Sequence, residues 1–91
     1  MDVENDSAQD RFHVVLPEGE GELVYQRPAP DTLELVHTEV APALRGRGVA
    51  EALAEAAFAY ARAHGLRVIA TCPYVRRWLG KHPEQRDIVI D

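Results

Sequence analysis

The 91-residue chain has one cysteine, one tryptophan and no apolar run longer than the six residues Ala56 to Ala61. A lone cysteine excludes an intrachain disulfide. No Cys/His spacing resembles a zinc site, so no metal is expected, and the chain reads as a protein of a reducing compartment, the cytoplasm by default. The six-residue run is far too short to span a bilayer. Met1 to Asp10 hold four acids and no apolar stretch, unlike a secretory or arginine-rich targeting segment, so no membrane partner is expected. Basic residues are also scarce, 10 against 15 acids, which gives a net charge of -5 and a pI near 5.3. With no aromatic, basic strand face either, nucleic acid is not an expected partner.

What is present suffices for one small core. Apolar residues make up 46% and charged residues 27%, although a domain of this length buries only roughly 60 to 65% of its unfolded surface. Residues 1–9 are polar, acidic and aperiodic and are expected to form a disordered tail, leaving 10–91 as a single domain. Charge is split along the chain. Residues 1–39 hold ten acids and two arginines, residues 40–91 eight bases and five acids. An anionic ligand would therefore dock on the second half, unless the charges simply coat the surface.

Phe12, Val14 and Leu16 alternate with His13 and Val15. Pro17-Glu18-Gly19 then offers a turn, and Glu22 to Gln26 resumes the alternation, which predicts a hairpin. After a turn at Pro28 to Asp31, Thr32 to Val40 reads as a third strand. Leu33, Leu35, His37 and Glu39 are expected on one face, and Val36, Thr38 and Val40 on the other. A helix is predicted from Val49 to His64, with Val49, Leu53, Ala56, Ala57 and Tyr60 at helical spacing and Gly65 as its C-terminal cap. Leu66 to Ala70 follows as a short strand, parallel to the third because a helical crossover joins them. Cys72-Pro73 opens a second helix that runs to Lys81, and Ile88-Val89-Ile90 is expected to be a final short strand or docking segment. The fold class is α+β with a mixed sheet: antiparallel strands, a βαβ crossover and a C-terminal helix.

Arg45-Gly46-Arg47-Gly48-Val49-Ala50 lies where a strand hands over to a helix. Glycines allow close backbone approach, the first helical N–H groups lack intrahelical partners, and the dipole with two arginines favours negative charge. A pyrophosphate suits such a turn, and a plain helix-starting turn would look the same. No Gly-Lys-Ser/Thr follows, and a third glycine is missing, so neither common nucleotide fingerprint applies.

The segment Arg45-x-x-Gly48-x-Ala50 resembles the acetyl-coenzyme A signature of the GNAT superfamily of N-acetyltransferases. The ordered series His37-Thr38-Glu39-Val40, Pro42, Arg45 to Ala50, Cys72-Pro73-Tyr74-Val75 and His82-Pro83-Glu84 resembles the minimal, single-domain members over about residues 11–90. The resemblance implies the acyl-CoA N-acyltransferase fold and an acetyl-CoA-dependent N-acetyltransferase. Backbone amides of Arg45, Gly46, Arg47, Gly48, Val49 and Ala50 would hold the pyrophosphate of acetyl-CoA. The pantetheine arm would pair with backbone at Thr38 to Val40, between the third and fourth strands, and Tyr74 would line the cofactor site.

Against that background Cys72 has two readings. As a cap of the helix opened by Pro73, with Arg76 and Arg77 nearby, it would favour the thiolate and carry the acetyl group; as a buried residue it would be structural. His37 and Glu39 are candidate bases for an ammonium acceptor, or a polar pair on a half-exposed sheet. By analogy with the superfamily, a backbone N–H near Val40 would meet the oxyanion. Tyr74 would protonate the departing thiolate or belong to the core. His13, His64 and Trp78 read as strand, helix-end and packing residues, and His82 receives no role. Larger members build an acceptor site from extra helices and strands that have no counterpart here. The acceptor is thus an unidentified amine on a protein, peptide or polyamine, and the chain a monomer or weak homodimer. A non-catalytic acyl-CoA-binding or sensing module is the alternative.

Overall fold

The computed structural model describes residues 1–90. A five-stranded sheet runs in the order β1-β2-β3-β4-β5: Glu4–Asp6, Arg11–Leu16, Gly19–Ala29, Thr32–Val40 and Arg67–Ala70. The first four strands are antiparallel neighbours, and β5 joins β4 in parallel through helix α1, Val49–Ala63. Helix α2 covers Pro73–Lys81, and short 3-10 segments span Pro42–Leu44 and Pro83–Ile88. This is the mixed sheet expected from the sequence.

Both helices pack on one face of the sheet. Phe12, Val14, Leu23, Leu33, Leu35 and Val68 meet Leu53, Ala57 and Phe58 of α1 and Val75, Trp78 and Leu79 of α2 in a single buried cluster. Alanines let α1 lie close, and Gly21 permits closer still: a Cβ there would stand 2.6 Å from Val49 Cγ1. Phe58 and Trp78 bring the helices together, with ring centroids 5.1 Å apart. Among the described residues the opposite sheet face carries no helix.

Four features differ from the sequence reading. Residues 4–6, expected in the disordered tail, form β1 beside β2, and Asn5 accepts a hydrogen bond from the Tyr25 hydroxyl at 2.7 Å. The second hairpin turn is tighter than expected, because β3 continues through Pro28 and pairs Ala29 with Thr32. Pro42–Leu44, to which the sequence assigns no element, forms a 3-10 turn. Most consequentially, β4 bulges. Val24 faces His37 while Tyr25 faces Leu35, so Val36 is an extra residue. A bulge exchanges the faces of everything beyond it. Leu33 and Leu35 therefore share the helix-covered face with Thr38 and Val40, the partners of Leu23 and Gly21, while His37 and Glu39 turn to the open face. The tail does dock: Val89 bridges to Val68, and Ile90 N–H donates to the Val68 carbonyl at 2.8 Å.

Candidate cofactor and active site

The β4–β5 ladder ends early. Pairing stops at Leu35 and Ala70, and the Leu35 carbonyl accepts the N–H groups of both Thr71 and Cys72, at 3.1 and 2.9 Å, as the chain turns into α2. From His37 to Val40 the β5 side of β4 is an unpaired strand edge. In an antiparallel pair alternate residues aim their N–H and C=O away from the partner, so this edge offers backbone groups to a ligand. A cavity of 570 Å³ lies along it, lined by residues that include Thr38, Val40, Arg45, Ala50, Tyr74 and Arg77.

A second cavity, of 260 Å³, shares Val40, Arg45, Ala50 and Tyr74 with the first and reaches the glycine turn. Gly46 and Gly48 both adopt left-handed backbone, with φ of 79° and 80°. The Arg45 and Arg47 amides donate inward, to the carbonyls of Pro42 and Leu44 at 3.3 Å. Among the described residues the amides of Gly46, Gly48, Val49, Ala50 and Glu51 have no such partner. Free amides at a helix N-terminus form an anion cradle. Of the six amides expected to hold a pyrophosphate, four are available and two are spent on the turn itself. Arg47 forms an ion pair with Glu18 at 3.2 Å, and Glu51 adds an acid to the first turn of α1. Arg45 makes no ion pair among the described residues.

Tyr74, half-buried, stands where the two cavities meet. Burial foremost, then the negative charge of Glu51, pushes its phenol above the ordinary tyrosine value, which keeps the proton in place. Arg77 lies over its ring, 5.9 Å from the centroid.

Cys72 occupies the N-cap position of α2, as one reading expected, but it is 2% exposed and its side chain makes no cap hydrogen bond. Its Sγ lies 3.2 Å from Thr38 Oγ1. Arg76 donates instead to the carbonyls of Ala70 and Thr71, at 2.8 and 3.1 Å. His37 and Glu39 share a face, as expected, and lie 3.2 Å apart, with side chains 58% and 72% exposed on the open side of the sheet.

Charge is divided by face as well as by sequence. Glu4, Asp6, Glu20, Glu22, Glu34 and Glu39 alternate onto the open face. A cavity of 320 Å³ there is lined by Arg11, His13, Glu20, Glu22 and Glu39 among others. Arg11 holds Asp6 and Glu22 at 3.2 and 2.9 Å, and His13 meets Glu20 at 2.6 Å. The sequence reading assigned no role to this pocket, because its residues come together only through β2–β3 register.

The sequence profile described as GCN5-related N-acetyl-transferase matches residues 11–88. The chain belongs to this family. Protein NATD1 of Xenopus tropicalis is 35% identical over 83 residues, covering 89% of this chain and 76% of that protein. Protein NATD1 of Homo sapiens is 34% identical over 83 residues, covering 89% and 74%. The solution NMR structure of a GCN5-like protein from Staphylococcus aureus superposes with a TM-score of 0.76 at 24% identity, covering 98% of this chain and 87% of that one. The fold is therefore the GNAT fold. Family and fold together support an acyltransferase, and the family generally uses acetyl-CoA.

Proposed function

We propose that the protein is an N-acetyltransferase that takes acetyl from acetyl-CoA and passes it directly to a cationic amine. The observation that carries this reading is the continuity of the free amides at the start of α1 with the unpaired edge of β4. Those residues fit coenzyme A in chemistry: amide donors and Arg45 for its phosphates, an open strand edge for its amide-bearing arm. Acetyl-CoA supplies an acetyl group activated as a thioester.

The chain's own residues do the rest. Gly46, Gly48, Val49 and Ala50 bind through their amides, and Thr38 to Val40 orient through theirs. Tyr74, held protonated, is placed to give its proton to a departing thiolate. His37 and Glu39 lie on the acidic open face, from which an ammonium group would arrive and lose its proton. A cationic acceptor suits that face, and an anionic cofactor suits the arginines of the other.

The test is calorimetric titration with acetyl-CoA, followed by an assay of coenzyme A release with a panel of peptide and polyamine amines. Saturable binding and amine-dependent release are expected. Absence of binding would overturn the reading, whereas binding without release would leave the protein an acyl-CoA sensor, a role that the exposure of His37 and Glu39 would also fit.

A further inference from the structure

Between the cofactor slot and the core stands one polar contact that the proposed chemistry does not use, the pair Thr38–Cys72. Thr38 lines the 570 Å³ cavity and Cys72 does not. The thiol lies behind the threonine, 2% exposed. The pair joins the unpaired edge of β4 to the first residue before α2, just past the fork where the Leu35 carbonyl holds Thr71 and Cys72. It therefore closes the apex of the wedge between β4 and α2, the two elements that bring Val40 and Tyr74 to the slot.

We infer that Cys72 is a positioning residue acting through Thr38: their contact sets the width of the slot, and the thiol forms no bond to the acetyl group. The inference rests on the cofactor reading above. A nucleophile must reach its target, and this sulfur is 2% exposed, in contact with the Thr38 hydroxyl and absent from the lining of the slot. Nor does either nearby arginine point to a role for the thiol, because Arg76 is occupied by backbone carbonyls and Arg77 lies over Tyr74. A hydroxyl in place of the thiol would keep the contact; a methyl would lose it.

The experiment compares Cys72→Ser, Cys72→Ala, Thr38→Val and the Thr38→Val/Cys72→Ala double variant. Calorimetry with acetyl-CoA and acetyl-CoA kinetics are combined with intact mass after incubation with acetyl-CoA. Cys72→Ser is expected to keep affinity and kcat within about three-fold. Cys72→Ala and Thr38→Val should each raise Kd and KM by about three- to ten-fold, the span of one modest hydrogen bond, with kcat little changed. The double variant should be no worse than either single one, because both remove the same contact.

The wild-type protein should gain no acetyl mass. An acetyl group on Cys72, or a Cys72→Ser variant that binds but does not turn over, would overturn the inference. Strictly additive losses in the double variant would do the same. If Cys72→Ala fails to fold, Thr38→Val and Cys72→Ser still decide the matter through their affinities. Failure of the wild-type protein to bind acetyl-CoA is a separate outcome, which removes the cofactor reading itself.

Discussion

Replacing Gly48 with alanine separates a ligand-binding turn from a turn that only starts a helix. Gly48 has φ 80°, and a Cβ built there meets nothing within 4 Å. The folded protein therefore pays for left-handed backbone alone, about 1–2 kcal/mol. The stiffer unfolded chain offsets about 0.4–1 kcal/mol of that. A net loss near ~1 kcal/mol should lower Tm by roughly 4–8 °C in a domain of this size. Gly65 provides a matched control, with φ 65° and equally open space, at the far end of α1 and outside both cofactor cavities. Gly65→Ala should melt like Gly48→Ala and bind acetyl-CoA like the wild type. Gly48→Ala should bind at least about ten-fold more weakly, because its methyl and the strained backbone intrude where a phosphate approaches bare amides, a cost of about 1.4 kcal/mol. Melting by circular dichroism and titration by calorimetry supply both numbers. Equal affinities in the two variants would refute the placement of the diphosphate at this turn.

Three further outcomes follow from the same geometry. Tyr74→Phe should lower kcat by on the order of a hundred-fold with little change in acetyl-CoA Kd. Because the phenol is raised above its ordinary value near 10, the acid should stay protonated at neutral pH and be lost only at strongly alkaline pH. A Tyr74→Phe rate equal to wild type would remove its role. Gly21→Ala should cost about 1–3 kcal/mol through its clash with Val49, read as a lower Tm; an unchanged Tm would mean that α1 shifts freely. Finally, Arg62 holds the Asp87 carboxyl below its usual value of 3.8. A lowered acid stabilises the fold above its unfolded pKa and ceases to do so as pH falls through the folded one. Hydrogen exchange at the Ile90 amide should accelerate below about pH 4 and, at neutral pH, in Asp87→Asn; equal protection in both proteins would disconnect the ion pair from the docked tail.

The order of β2 to β5, the crossover and both helices were legible because alternation or helical spacing marks each of them. The Val36 bulge was not read, although its trace is present. Apolar residues at 33, 35 and 36 shift phase before Thr38 and Val40, and a strict period of two carries His37 and Glu39 to the wrong face. Likewise Gly48 could be placed on the helix start from spacing, whereas the engagement of the Arg45 and Arg47 amides depends on a 3-10 turn with no periodic signature. Cys72 shows the limit most plainly. Position at a helix start allowed either an activated thiol or a buried structural one, and the fork at Leu35 tucks the side chain inward against Thr38. The β1 strand escaped notice because three polar residues at an edge carry little hydrophobic pattern.

The tail that lies along β5 bears on how the molecule is made. β2, β3 and β4 pair through short turns, so this meander can assemble as soon as Val40 has left the ribosome. β5 cannot join before α1 is complete, and the amide that caps its outer edge belongs to Ile90. Vectorial synthesis thus builds the acidic sheet first and completes the cofactor slot late. Until Ile90 has left the ribosome, β5 presents an uncovered edge, and that interval is when the nascent protein is most exposed to joining a neighbour's strand.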